Sequence, residues 1–167
     1  MKEIKLIIDG KEVKLTEEQV KALGIGIEEK RKNPFERAAA GAKYYFVSYF
    51  GDVDGYAQAD DCEDDALFNS SNYFNDESFA NQVALHQLLY RKLLKFAYDN
   101  EYEDTAEWDI SSPHWGINYN IAIGDFQTAV WYGLKFSGVQ FSSAEGAKRA
   151  IEEVVKPFVK EHPEFVW

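Results

Sequence analysis

INYNIAIGDFQTAVWYGLKF, residues 117–136, decides the fold. Ile117, Tyr119, Ile121 and Ile123 alternate with Asn118, Asn120 and Ala122. A period of two places one set of side chains on each face of a pleated strand, so this run predicts a half-buried β-strand. Gly124-Asp125 supplies the turn. Phe126, Thr128, Val130, Tyr132, Leu134 and Phe136 alternate on the way back, and Ser137-Gly138 turns the chain again into Val139–Phe141. A capping box of Ser142 with Glu145 then opens a helix lined by Ala147, Ala150, Ile151, Val154 and Val155. Pro157 is expected to stop or kink it, because proline lacks the amide hydrogen a helix interior needs.

Upstream the same grammar occurs once more. Tyr44–Phe50 is an aromatic, β-favouring run, Gly51-Asp52 a turn and Val53–Ala59 a return strand. After an acidic stretch, Leu67–Phe74 leads into a helix over about Asp76–Asp99. Phe79, Val83, His86, Tyr90, Leu93 and Ala97 recur at spacings of three and four, which marks its apolar face and makes His86 a core histidine. Arg91 and Lys95 fall on the opposite face. A Phe stands six residues before an Ala at both helix starts, Phe74 to Ala80 and Phe141 to Ala147. That pattern fits an ancient duplication or two independent uses of common capping chemistry.

Before this main α+β domain, residues 35–167, lies a smaller unit with its linker, residues 1–34. Asp9-Gly10 is a hairpin turn signal between Leu6–Ile8 and Val13–Leu15. Thr16 with Gln19 caps a short helix that Gly24 ends. Such a unit is too small to be stable alone and must dock on the rest or on another copy. Phe35 is positioned to anchor the linker on the main body. The expected fold is α+β: an antiparallel sheet packed against two main helices, with an N-terminal β-hairpin–helix unit.

The 167 residues carry 18 basic and 29 acidic side chains, a net charge of −11. That balance argues against direct binding to nucleic acid or to an anionic membrane, both of which need surplus Lys and Arg. One cysteine, Cys62, permits no intrachain disulfide and fits a reducing cytoplasm. No apolar run reaches the ~20 residues of a membrane helix, and the first residues lack the apolar core of a signal peptide. The excess charge is concentrated in residues 44–134, which hold 3 basic and 16 acidic side chains. It gathers in Asp60, Asp61, Glu63, Asp64 and Asp65, and again in Asp99, Glu101, Glu103, Asp104, Glu107 and Asp109. One reading is a solvated acidic face. Another is a row of carboxylates that imitates the phosphates of a duplex, which shows one charge per ~1.7 Å of axis. Metal binding is the third; Asp60–Asp65 lacks the ligand spacing and central glycine of a calcium loop, Asp52-Val53-Asp54-Gly55 places its glycine too early, and no zinc pattern exists.

Catalytic signatures are absent: no phosphate loop, dinucleotide fingerprint or nucleophile elbow. His114, in a loop before a strand, is the best candidate, yet no nucleophile is tied to it by spacing. His162 sits in the tail, and Cys62 lies among carboxylates that blunt thiolate chemistry. Arg91, Lys92 and Lys95 offer an alternative small anion pocket, with Tyr44, Tyr45, Tyr49, Tyr56 or Tyr73 available to stack a base.

The opening MKEIKLIIDGKEVKLTEEQVKALGI, the joint NPFERAAAGAKYYFVSYFGDV, the helix FANQVALHQLLYRKLLKFAYDN and the tail AIEEVVKPFVKEHPEFVW carry a likeness that extends over essentially all 167 residues of the chain. In them it resembles uncharacterised small acidic accessory proteins of Gram-positive phages and prophages, similar in setting to anti-CRISPR and other anti-defence proteins. The resemblance carries no catalytic or binding motif. Combined with the acidic central block, it leads to the expectation of a non-enzymatic antagonist without cofactor or metal, acting in the host cytoplasm. Its expected partner is a host defence effector protein that handles nucleic acid, a CRISPR nuclease first among them. The contact would run through Asp60, Asp61, Glu63, Asp64, Asp65, Glu101, Glu103 and Asp104. The alternatives are a sponge for a nucleotide immune signal at Arg91, Lys92 and Lys95, and an assembly protein that dimerises through its hairpin–helix unit.

Overall fold

The computed structural model describes the backbone of two N-terminal strands, β1 (Lys5–Ile8) and β2 (Lys11–Lys14), and residues 33–135 and 137–167. The two strands pair antiparallel, Leu6 opposite Val13. That agrees with the hairpin read around Asp9-Gly10. The helix expected from Thr16 to Gly24, and Phe136, lie outside the described residues.

Beyond the N-terminal pair come β3 (Lys43–Val47), β4 (Val53–Ala57), α1 (Cys62–Asn69), α2 (Glu77–Asp99), β5 (Pro113–Asn120) and β6 (Asp125–Tyr132). The chain closes with α3 (Ala144–Ala150), a π-helical turn (Ile151–Val155) and α4 (Lys156–Glu161). The class is α+β, with the strands divided among two-stranded antiparallel hairpins rather than joined in one sheet.

The two halves of the main body repeat one plan. Each hairpin acquires a third, one-residue partner: Phe74 bridges Tyr45 of β3, and Phe141 bridges Trp115 of β5. Both phenylalanines exchange two backbone hydrogen bonds with their partner, at 2.7 and 2.8 Å in the first half and 2.7 and 3.2 Å in the second. Two residues later comes the N-cap, Asp76 for α2 and Ser143 for α3. Four residues after each cap stands an alanine, Ala80 or Ala147, fully buried. The cap of α3 is Ser143, whose hydroxyl accepts from Gly146 N–H, and not Ser142 as the capping-box pattern suggested.

α2 is the common support. Val47, Phe74, Ala80 and Ala84 form one core around its first turns. Leu89, Leu93, Ala97, Phe141, Ala147, Ala150, Val155, Phe158 and Phe165 form the other. The buried stripe differs in the middle from the expected one. His86 and Tyr90 are exposed, while Leu89 is buried and Leu85 and Leu88 pack against the core. Aliphatic side chains have no ring nitrogen or hydroxyl to satisfy, so the leucine-rich flank wins the interior. Phe35 anchors residues 33–36 as expected, with ring centroids 5.4 Å from both Phe74 and Phe79.

Three expectations about boundaries change. The strand through Ile117 begins at Pro113 and ends at Asn120, leaving Ile121 and Ile123 exposed in the turn closed by Gly124, φ 68°. Its partner β6 likewise ends at Tyr132, short of Leu134. Pro157 does not stop the last helix. It stands in the first turn of α4, where a missing N–H costs little, and the preceding turn widens instead, Lys156 N–H bonding to the Ile151 carbonyl. Among the described residues no helix is long and apolar enough to cross a membrane.

Candidate functional site

The acidic stretch 60–65 is the start of a helix. Asp61 caps α1, accepting from Glu63 and Asp64 N–H at 2.9 and 3.0 Å, and Asp64 reaches back to Asp61 N–H. This is a capping box built from two aspartates, and carboxylates in a first turn also complement the helix dipole. Asp64 is 2% exposed. Its carboxylate accepts from the Tyr44 hydroxyl at 2.7 Å and from Ala59 N–H at 2.7 Å. The Tyr44 bond holds Asp64 below the ordinary carboxylate range. Burial, and then the bond to Asp64, push the Tyr44 phenol up. Tyr44 stacks on Tyr73 at 4.1 Å, so both rings are core and neither is free to stack a base. Asp60 and Asp65 face Arg37, at 3.9 and 2.6 Å. Of the five carboxylates assigned to a partner surface here, Asp64 is removed from it as a buried structural group. Asp61 is exposed but engaged as a cap, Asp60 and Asp65 are partly neutralised, and Glu63 is fully outward.

The second cluster divides in the same way. Asp99 pairs with Lys95. Asp104, assigned to the surface, is buried: its side chain is 2% exposed and accepts from Nδ1 of His114, itself 0% exposed. His114 is therefore not in a loop but inside β5, with Trp108 stacked on its ring at 3.5 Å and 2°. The other ring nitrogen, Nε2, is buried with no hydrogen-bond partner among the described residues. Glu103 Oε2 and Gln140 Oε1 are buried and unpartnered as well. Asp109 organises its own loop, accepting from Ser111 Oγ, Ser111 N–H and Ser112 N–H. Those bonds, the Ser111 hydroxyl first, hold its carboxyl at about 2. Glu101 and Glu107 remain outward.

The cations of the alternative anion site, Arg91, Lys92 and Lys95, are exposed on α2 as expected. Lys95 is already engaged by Asp99. Arg91 lies against the β3–β4 turn, its Nη2 3.2 Å from where a Cβ on Gly51 would sit. The structure does not gather the three around a cavity: they are absent from the walls of the clefts described below.

A different acidic site appears at that turn. Ser48 N–H bonds to the Asp52 carbonyl at 2.8 Å and Gly51 N–H to the Ser48 carbonyl at 2.9 Å. Gly51 takes φ 96°, a backbone only glycine adopts readily. The tight turn holds Tyr49 and Phe50 out of the protein, 90% and 76% exposed, with ring centroids 4.0 Å apart. Beside it runs a cleft of about 740 Å³, with Asp52, Glu77 and Glu164 on its walls and His162 at one side. The tail that brings Glu164 there is pinned to α2: Gln82 Nε2 donates to the Glu164 carbonyl at 2.7 Å and Val166 N–H donates to Gln82 Oε1 at 3.0 Å. No sequence cluster signalled this cleft, because its carboxylates come from three distant segments. The only local hint was Tyr49-Phe50 before a Gly-Asp turn, where apolar side chains have no strand partner.

Compared with protein families, curated proteins and solved structures, the chain matches none.

Proposed function

We propose that this chain is a non-enzymatic binding protein that occupies a basic, nucleic-acid-handling surface of another protein. The observation that carries this reading is exposure: of the sixteen carboxylates between residues 44 and 134, all but Asp64, Glu103 and Asp104 are exposed. Such an excess of exposed carboxylates attracts a basic partner, speeds encounter and makes association sensitive to salt. Tyr49 and Phe50 supply what charge alone lacks, an aromatic anchor beside the Asp52–Glu77–Glu164 cleft that could fill a pocket in the partner. From the likeness read in the sequence to phage accessory proteins we further propose a bacterial defence effector, a CRISPR nuclease above all, as the protein antagonised.

The test is inhibition of purified CRISPR nucleases, assayed by target cleavage over a range of salt. Asp52→Lys, Asp54→Lys, Glu63→Lys and Glu77→Lys are combined, leaving the structural Asp61, Asp64 and Asp104 intact. Inhibition that weakens with salt and disappears in this folded variant supports the reading. Inhibition undiminished by the four reversals, or no inhibition across representatives of each nuclease type, refutes it.

A further inference from the structure

Two clefts share a wall in the second half of the molecule. The larger, about 510 Å³, is walled by Trp131, Trp167 and Leu93 with little polar surface. The smaller, about 280 Å³, contains Glu103, Asp104, Trp108 and Tyr98. Tyr90, Gly138, Val139 and Gln140 line both. The groove therefore has an apolar aromatic stretch and an acidic end. Gly116 keeps the apolar stretch open, since a Cβ there would lie 2.6 Å from Trp131 Cζ3.

The acidic end holds two acceptors without donors, beside one cation of its own, Lys135. Glu103 Oε2 and Gln140 Oε1 are buried and unpartnered among the described residues. A buried acceptor left unsatisfied costs about 1–3 kcal/mol, so a ligand donor that reaches either one is favoured there. Asp104 adds negative charge and is immobilised by His114, over which Trp108 lies flat. Lys135 Nζ sits 5.2 Å from the centroid of the Trp108 ring, which shows that this end of the groove accommodates an ammonium group against an aromatic face.

We infer that this groove binds a small organic cation with an apolar or aromatic body and a terminal amine: the body against Trp131 and Trp167, the ammonium donating to Glu103 and Gln140. Anionic ligands are disfavoured by Glu103 and Asp104. A neutral apolar ligand would fill the wide part and leave both acceptors bare. The inference is independent of the reading of the β3–β4 turn, which lies in the other half.

Tryptamine serves as the probe, with indole-3-acetate and 3-ethylindole as partners of nearly the same body that carry an anion and no charge. Calorimetry and thermal shift on the full chain read binding. Tryptamine binds and raises Tm, while indole-3-acetate and 3-ethylindole bind weakly or not at all. Glu103→Gln weakens tryptamine by about tenfold or more, the loss expected when a charge-assisted hydrogen bond becomes a neutral one. Gln140→Glu, which adds a carboxylate at the second acceptor, strengthens it and keeps the test decisive should Glu103→Gln fail to fold. Equal binding of all three probes, no binding of tryptamine at millimolar concentration, or tryptamine affinity unchanged in Gln140→Glu overturns the inference.

Discussion

Gly146→Ala should destabilise the protein, although the same change on an exposed helix is favourable. Gly146 lies in the first turns of α3, where alanine has a helix-propensity advantage of about 1 kcal/mol over glycine. A Cβ there would meet Tyr102 at 2.7 Å from Cγ, 2.9 Å from Cβ and 2.9 Å from Cδ1. Tyr102 cannot step aside. Its N–H bonds to the Ala97 carbonyl at 2.8 Å, its carbonyl accepts from Ser142 N–H at 2.9 Å, and its hydroxyl accepts from Arg149 at 3.2 Å. Overpacking of a close-packed site costs about 1–3 kcal/mol, so after the propensity advantage the net loss is up to about 2 kcal/mol. For a chain of this length that lowers Tm by up to about 8 °C. Gly138→Ala is the control, because nothing lies within 4 Å of its Cβ; its effect is neutral or slightly stabilising. Thermal unfolding followed by circular dichroism reads both. A Tm that rises for Gly146→Ala refutes the claim that Tyr102 is held against the helix.

Asp64→Asn lowers Tm at neutral pH, by removing the carboxylate that Tyr44 holds below its ordinary value. A depressed carboxylate contributes stability above its unfolded pKa of about 3.9 and loses it as pH falls through the folded value. The gap between wild type and variant therefore closes as the solution is acidified below pH 4, and a gap that widens is the contrary result. Tyr49→Ser with Phe50→Ser changes stability by no more than about 0.5 kcal/mol, since neither ring is buried, yet abolishes inhibition of the partner. Melting curves and the cleavage assay separate the two effects. Arg37→Met uncovers Asp60 and Asp65 and speeds association with a basic partner at low salt, measurable as kon by surface plasmon resonance.

Periodicity made the frame readable. The alternation around residues 117–132 specified a hairpin, and the paired Phe-to-Ala spacings marked the two helix starts that the structure places after equivalent bridges. Boundaries were less legible because turns and caps compete locally: Ser142 and Ser143 are both competent caps, and the backbone geometry selects the second. The helix α1 was hidden in what looked like an acidic loop. Asp61 and Asp64 cap it with the same reciprocal geometry that Ser and Glu provide elsewhere, and only the folded chain shows that charge serving as a cap. Of the carboxylates expected on the surface, Glu103 is only half-exposed and two are buried, since nothing in a one-dimensional list distinguishes Asp64 and Asp104 from their exposed neighbours. Their burial follows from tertiary partners, Tyr44 and His114. The Asp52–Glu77–Glu164 cleft and the Glu103–Gln140 groove were invisible for the same reason.

The 23 residues of α2, about 35 Å of helix, belong to both halves at once. Neither repeat can be excised as a free-standing piece, because each would leave half of the shared rod with its apolar side bare. Denaturation should accordingly proceed in one cooperative step. The same rod sets the spacing between the aromatic turn of the first repeat and the amine groove of the second, so that strain introduced at either end has a rigid lever along which to reach the other.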